Sequence, residues 1–245
     1  MDLSIVIPVY NEQKKIAQDI RAACSFLQSQ QMKGEIIVVD DGSYDRTAEE
    51  VEHVAGQISC ECKTIRYDHH RGKGYAVRKG MAETRGKYTM FVDSGLCVPF
   101  RFVMDGLQLI QEKGVGLAHG SRRLKDSLIT SPQPKHRQLI NRFFHWIFIK
   151  FLDIPEEITD TQCGFKLYRG NVARELYKRC KSNGFLFDIE IILWGLHAGY
   201  CIQEFPIEWR YDADTRLYPL KNMLNVLGEL ITIYDWIRRE HFISP

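Results

Sequence analysis

No Gly-x-Gly-x-x-Gly fingerprint, no Walker A loop and no Cys-x-x-Cys pair occurs in this 245-residue chain. Gly72-Lys-Gly74 is not followed by a third glycine at dinucleotide-binding spacing, so dehydrogenase and P-loop NTPase readings lose their main support. Charge of one sign is also lacking. The balance of 33 Lys+Arg against 31 Asp+Glu leaves +2, which argues against a dedicated nucleic-acid binder but leaves room for a local basic patch. No apolar run reaches the ~18 residues that span a bilayer. The chain runs directly into a strand-like segment from Leu3 to Val9, without the layout of a secretory signal. These absences predict a cytoplasmic protein whose membrane contact is peripheral. The seven cysteines, at 24, 60, 62, 97, 163, 180 and 201, are odd in number, and Cys60-x-Cys62 has no second pair at zinc spacing. They are expected to be reduced, buried thiols.

What is present is ample core material. Hydrophobic residues make up 44% and aromatics 11%, against 26% charged. That composition suits one large domain and rules out collagen-like, disordered and small disulfide-framework classes. Leu3 to Tyr10 is a β-branched run of the kind buried on both faces of a sheet. Ile16, Ile20, Ala23 and Leu27 predict a helix over 12–31, stopped by Gly34, and Glu35 to Asp41 reads as a second buried strand. A helix over 45–57 follows, with Ser43 or Asp45 as N-cap, then a strand over 62–67, a helix over 73–84 and a strand over 88–92. Strand alternating with helix predicts an α/β fold with a mostly parallel sheet flanked by helices. The second half predicts a polar loop over 123–135, helices over 135–152, 170–181, 187–198 and 219–240, and a strand over 201–209. No repeat or low-complexity linker divides the chain, so a single domain over 1–245 is expected.

In such sheets ligands bind beyond the carboxyl ends of the strands. The segments to inspect are Pro8 to Glu12, Asp40 to Ser43, Asp93 to Leu96 and Gly120 to Arg122, three of which carry carboxylates. A strand-end carboxylate can accept from a base N–H or from ribose hydroxyls. Asp41-Gly-Ser43 read alone is equally a turn and helix cap. Gly72 and Gly74 could let backbone approach a diphosphate, with Lys73 as its cation, or form a plain surface turn.

Taken together, Ile5-Val-Ile-Pro-Val-Tyr-Asn-Glu12, Val38-Val-Asp-Asp-Gly-Ser43 and Gly72 to Met81 resemble the N-terminal half of family 2 glycosyltransferases. Asp160-Thr-Gln-Cys-Gly-Phe-Lys166 and Phe187-Asp-Ile-Glu190 look like the branch of dolichyl- or polyprenyl-phosphate β-glucosyltransferases and mannose synthases, nearer the glucosyl members. The resemblance covers residues 2–219. It implies the GT-A fold, a Rossmann-like sheet, with amphipathic helices at the C-terminal end. It divides the chain into a nucleotide-sugar half (1–122), an acceptor half (123–219) and a terminal helix (220–245).

The resemblance also implies roles. Asp40 and Asp41 would meet base and ribose, walled by Pro8, Tyr10 and Glu12, and Lys73 would meet the diphosphate. Asp93 would hold Mg2+ or Mn2+ where the family has Asp-x-Asp. This chain departs from the pattern with Asp93-Ser-Gly95, and Cys97 stands nearby. Neither glycine nor a thiol replaces an oxygen ligand for a hard cation, so metal binding is weakened, rearranged or absent. Arg122, Arg137 and Arg216 match family cations that grip the donor diphosphate or an acceptor phosphate, for which a guanidinium is suited. Asp160 and Gln162 would lie over the sugar or the acceptor phosphate. A phosphate acceptor is already ionised, so positioning and charge neutralisation would dominate over a base at Asp160. Asp188 and Glu190 would orient arginines or serve as helix N-terminal carboxylates.

Lys135 to Leu152 is basic at its start and apolar nearly all round later, which suits burial or a lipid interface. The final helix, with Leu220, Met223, Leu224, Leu227, Leu230, Ile231 and Tyr234 on one stripe, could dock on the core, pair with a second copy in a homo-oligomer, or lie on lipid. The function implied is inverting transfer of a hexose, glucose from UDP-glucose, to a polyprenyl phosphate at the cytoplasmic membrane face, with no nucleic-acid partner. Two alternatives remain: a transferase acting on a soluble or polysaccharide hydroxyl, and a nucleotide-sugar-binding paralogue without catalysis.

Overall fold

The computed structural model describes residues 1–134, 147, 149–150, 152–212 and 223–241, the last helix with side chains over 228–237. The expected helix over 135–152 therefore lies largely outside the described residues, as do Arg137 and Arg216. The strands are β1 (Leu3–Val9), β2 (Gly34–Asp40), β3 (Glu61–Arg66), β4 (Tyr88–Val92), β5 (Leu117–Ser121), β6 (Leu128–Ser131), β7 (Phe165–Arg169), β8 (Ile202–Pro206) and β9 (Glu208–Arg210). The helices are α1 (Ile16–Ser29), α2 (Thr47–Ala55), α3 (Lys73–Ala82), α4 (Val103–Glu112), α5 (Gly170–Arg179), α6 (Phe187–His197) and α7 (Met223–His241).

Seven strands form one sheet in the order β3-β2-β1-β4-β7-β5-β8, and β6 pairs with β9 apart from it. β1 is parallel to β2 and β4, β2 to β3, and β5 to β8. β7 is antiparallel to both β4 and β5. It follows that β4 and β5 run in the same sense. The C-terminal ends of β1, β2, β4 and β5 and the N-terminal end of β7 therefore share one edge. This mostly parallel, helix-flanked sheet is the fold expected.

The period of two along each strand sorts the core into two layers. Leu3, Ile5, Ile7 and Val9 of β1 and Ile36 and Val38 of β2 face α1, α2 and α4, where Ile20, Leu27, Val51 and Leu107 are buried. Val6, Ile37 and Val39 face the opposite way, against Val77, Met81, Leu176 and Trp194 of α3, α5 and α6. Each such side chain contributes roughly 1.5–3 kcal/mol by leaving water. α6 is buried from Phe187 to Gly195 because it also closes a third cluster, in which Ile189 and Ile192 meet Leu230 and Ile233 of α7. Of the alternatives for the terminal helix, Leu230 and Ile233 thus take docking on the core, while Ile231 stays exposed. No helix among the described residues is long and apolar enough to cross a membrane.

Several expectations are corrected. The strand over 201–209 is two strands in different sheets, divided at Ile207, and the loop over 123–135 contains β6, paired with β9. α4 has no counterpart among the expected elements, although Val103, Leu107 and Ile110 are a helical stripe. The N-cap position of α2 is Arg46 rather than Ser43 or Asp45 and makes no side-chain cap; Asp45, just before it, accepts from Thr47 N at 3.0 Å. Ser43 Oγ instead accepts from Asn11 N. Cys24 and Cys60 are not reduced thiols: they form a disulfide between α1 and the segment before β3, with Cα atoms 5.7 Å apart. Cys163 and Cys180 are buried and free as expected, but Cys201 is exposed.

Candidate functional site

The shared strand edge gathers the loops after β1, β2, β4 and β5 and the segment entering β7. The first two loops are stapled together by Asn11, which takes a left-handed φ of 56°. Its side-chain oxygen accepts from Tyr44 N at 2.9 Å, and its own N–H donates to Ser43 Oγ at 2.8 Å. Asp40 is fully buried at the end of β2. Its Oδ1 accepts from Ser43 N at 2.9 Å, while Oδ2 has Arg66 Nε 3.3 Å away but no aligned hydrogen-bond partner among the described residues. Asp41 is committed elsewhere. Its oxygens accept from Arg71 N and Gly72 N at 2.8 Å each, and His70 Nδ1 lies 2.8 Å from Oδ2. Burial pushes its carboxyl above the ordinary value against those three partners. Tyr10 stacks on His70 with ring centres 4.1 Å apart. Pro8 is half-buried in register with Val39, and Glu12 N donates to Thr47 Oγ1.

Lys73, the first residue of α3, crosses to Asp93 at the end of β4, with Nζ 2.6 Å from Oδ1 and only 19% of the side chain exposed. The rings of Phe91 and Phe187 lie 5.7 and 5.9 Å from the ammonium. Burial favours the neutral amine, but Asp93 and Asp188 outweigh it and hold Lys73 charged, above its ordinary pKa. The glycines beside it do not make room for a diphosphate. A Cβ on Gly72 would lie 2.4 Å from Asn183 O, and one on Gly74 2.6 Å from Ser182 O. Both glycines instead admit the 182–184 segment, whose carbonyls accept from Gly74 N and Tyr75 N. Glu190 holds that segment from below through Lys181 N and Ser182 N. Asp188 pairs with buried Lys166 at 2.5 Å. Both carboxylates lie in the first turn of α6, as one alternative had it, and neither pairs with an arginine among the described residues.

The loop after β4 is fixed from α1. Asp19 accepts from Ser94 Oγ at 2.6 Å, Gly95 N at 3.0 Å and Leu96 N at 3.1 Å. Burial pushes its carboxyl up to about 6 against those donors. Gly95 has φ +98°, and a Cβ there would lie 2.9 Å from Asp212 Oδ2. Asp212 itself pairs with Lys15 Nζ at 2.6 Å. The residues described do not fit a Mg2+ or Mn2+ ion held by this protein. Asp93 and Asp212 each already carry a lysine ammonium, and no group of three His, Cys, Asp or Glu side chains converges among the described residues. Cys97 offers no thiolate either, since burial and then Asp93, Asp212 and Asp19 push its thiol up to about 12.

Arg122, just beyond β5, meets Asp160 in a fork. Its Nε and backbone N donate to Oδ2 at 2.6 and 3.0 Å, and Nη2 donates to Oδ1 at 2.7 Å. Burial would raise the Asp160 carboxyl, but the Arg122 guanidinium holds it well below the usual carboxylate range. Behind the pair, Glu204 accepts from Asp160 N at 2.7 Å and from Thr159 Oγ1 at 2.6 Å. The Arg122 guanidinium also lies 5.3 Å over the Trp209 ring. Gln162 follows, its buried Nε2 without a hydrogen-bond partner among the described residues, like Tyr67 OH just past β3.

Of the expected residues, Pro8, Tyr10, Glu12, Asp40, Asp41, Lys73, Asp93, Arg122, Asp160 and Gln162 all lie on segments of this edge. The side chains of Asn11, Asp19, His70, Lys166 and Glu204 were not anticipated. Asn11 carried a signal, a turn-forming residue directly after a strand. The others act across 22 to 77 residues of sequence, which no local pattern registers.

Comparison with known proteins places this geometry. Residues 4–177 match the family described as Glycosyl transferase family 2. A dolichyl-phosphate beta-glucosyltransferase of Dictyostelium discoideum is 31% identical over 241 residues, covering 94% of this chain and 73% of the relative. The Homo sapiens protein of the same name is 29% identical over 242 residues, covering 94% and 74%. Among solved structures, glucosyl-3-phosphoglycerate synthase from Mycobacterium tuberculosis, crystallised with Mn2+, UDP and phosphoglyceric acid, shares the fold. Its TM-score is 0.71 at 18% identity, covering 95% of this chain and 78% of that one.

Proposed function

The chain belongs to glycosyl transferase family 2 and is a hexosyltransferase, and from that premise we propose that it transfers glucose from UDP-glucose to a polyprenyl phosphate with inversion at the anomeric carbon. One observation carries the choice of acceptor. At the strand edge Asp93, Asp160, Asp188 and Asp212 are each ion-paired, with Lys73, Arg122, Lys166 and Lys15. A hydroxyl acceptor needs a carboxylate free to take its proton, with a pKa near the working pH. Asp160, the expected candidate, has its pKa driven the other way. A phosphate monoester arrives already ionised and needs cations, which this edge supplies. The names of the relatives, dolichyl-phosphate beta-glucosyltransferases, support the same acceptor class.

In this reading Asp40 Oδ2 and Tyr67 OH, which lack a hydrogen-bond partner among the described residues, meet the nucleoside, against the wall of Pro8 and Tyr10. Asp41 acts indirectly by anchoring residues 70–72. Lys73 faces the leaving diphosphate, and Arg122, aligned by Asp160, faces the acceptor phosphate. Gln162 Nε2 donates to the sugar or to that phosphate. Attack comes from the face opposite the diphosphate, and catalysis is positioning plus stabilisation of the charge that grows on the leaving group. Because a polyprenyl tail is held in a bilayer, the protein works at a membrane surface. Arg137 and Arg216, outside the described residues, would add cations for the donor diphosphate or the acceptor phosphate.

The test is an incubation of purified protein with labelled UDP-glucose and dolichyl phosphate in vesicles. Label moving into the solvent-extractable lipid is the expected result. Label reaching only water-soluble acceptors would overturn the reading in favour of a hydroxyl acceptor. Donor binding without any transfer would favour the non-catalytic paralogue.

A further inference from the structure

Two of the carboxylates beside the loop after β4 carry a lysine ammonium, Lys73 on Asp93 and Lys15 on Asp212, each at 2.6 Å, while Asp19 is taken up by the loop's own N–H and hydroxyl donors. We propose that Lys73 is the resident cation of the donor site, its ammonium standing on Asp93 where a divalent ion would stand, so that the diphosphate is held without metal. The inference rests on the donor reading above.

Three features carry it. First, Nζ of Lys73 is confined: Asp93 lies on one side, and the rings of Phe91 and Phe187 lie 5.7 and 5.9 Å away. The chain that delivers it is clamped too, because Gly74 N and Tyr75 N, the next two donors of α3, bond to Gly184 O and Asn183 O at 3.1 and 3.2 Å. A lysine held in this way presents its charge at a fixed point and loses little side-chain freedom on binding an anion. Second, a second carboxylate cannot enter from the loop. Gly95 has a φ that L side chains rarely adopt, and a Cβ there would meet Asp212 Oδ2 at 2.9 Å. An aspartate would be strained and set against a like charge. Third, a hard divalent ion wants about six oxygen ligands and brings two positive charges. Here it would first have to evict an ammonium from each carboxylate, and no third acidic, His or Cys ligand converges among the described residues.

Calorimetric titration of the full chain with UDP, in EDTA and in excess Mn2+ or Mg2+, tests this. The expected dissociation constants agree within about threefold across these conditions. Lys73→Met is expected to weaken UDP binding in EDTA by about 10- to 100-fold, the range of one charge-assisted contact. Lys73→Arg retains most of the affinity, and thermal unfolding checks that each variant is folded. Should Lys73→Met fail to fold, Asp93→Asn still decides. By releasing the ammonium it is expected to strengthen UDP binding in EDTA, whereas a metal-bridged diphosphate would lose affinity on the same change. Binding that vanishes in EDTA and returns with Mn2+ overturns the inference and leaves the donor reading standing. Metal-independent binding unchanged by Lys73→Met also overturns it. No UDP binding under any condition overturns the donor reading, and the inference with it.

Discussion

Replacing Asp160 by Asn probes the most heavily hydrogen-bonded charge pair of the site. The wild-type carboxylate is 2% exposed and accepts three donors from Arg122. Asparagine keeps the shape but removes the charge and one acceptor oxygen, and its amide turns N–H groups toward a guanidinium that has none to accept. Removing one partner of a buried pair costs about 3–5 kcal/mol, because the other charge is left uncompensated. The Arg122 side chain is 20% exposed, so water offsets part of this and the low end, about 3 kcal/mol, is expected. That is about a hundredfold in the unfolding constant, or a fall in Tm of about 6–12 °C for a chain of this size. The pH dependence has a fixed sign. The folded pKa of Asp160 lies below its ordinary value of 3.8, so its contribution is present above pH 3.8 and is lost as pH falls through the folded pKa. Urea unfolding at neutral pH should therefore show the full difference between wild type and Asp160→Asn, narrowing in strongly acidic buffer. A difference under about 1 kcal/mol at pH 7, or one that stays constant into acid, would refute the buried-pair argument.

Other outcomes follow from the same geometry. Gly95→Asp should destabilise the chain by about 1–3 kcal/mol, since φ +98° strains any L side chain; chemical denaturation measures this, and an unstrained variant with new Mn2+ dependence would contradict it. Gly164→Ala places a Cβ 2.0–2.1 Å from the Asp93 carboxylate, so it should push that carboxylate aside and destabilise the chain in chemical denaturation; wild-type stability would refute that. Asp19, whose pKa rises from 3.8 to about 6 on folding, contributes stability that is full below pH 3.8 and lost as pH rises through about 6. Its replacement by Asn should flatten that part of the stability–pH curve, and an unchanged slope would count against the burial of this carboxylate. Alkylation of the denatured chain without reductant should modify five cysteines, and with reductant all seven; mass spectrometry showing seven in both would remove the Cys24–Cys60 bridge.

Local pattern carried the fold far. β1, β2 and β4 are buried on both faces, and such strands are continuous apolar runs legible without a partner. The helices α1, α3, α5 and α6 likewise show their apolar spacing directly. Prediction failed where an element depends on a remote strand. β6 is short and largely exposed, Leu128 and Ile129 included, and exists because β9 pairs with it, while Ile207 between β8 and β9 gives no sequence sign that the chain changes sheets. The Cys24–Cys60 bridge escaped for the same reason, since spacing along the chain does not report that α1 and the approach to β3 meet.

By itself the sequence determined the layered α/β architecture and pointed to ten residues that the fold gathers on segments of one sheet edge, because buried strands and strand-end motifs are local statements. Only the tertiary structure decided what those residues do. It made Asp160, expected over the sugar or the acceptor phosphate, the partner of Arg122, and Asp41, expected as a ligand contact, the anchor of residues 70–72. The glycines at 72 and 74 became clearance for the 182–184 segment. Ionisation and pairing are set by distances of about 3 Å between groups far apart in the chain, and the near-neutral charge sum conceals that Asp93, Asp160, Asp188 and Asp212 each already hold a cation.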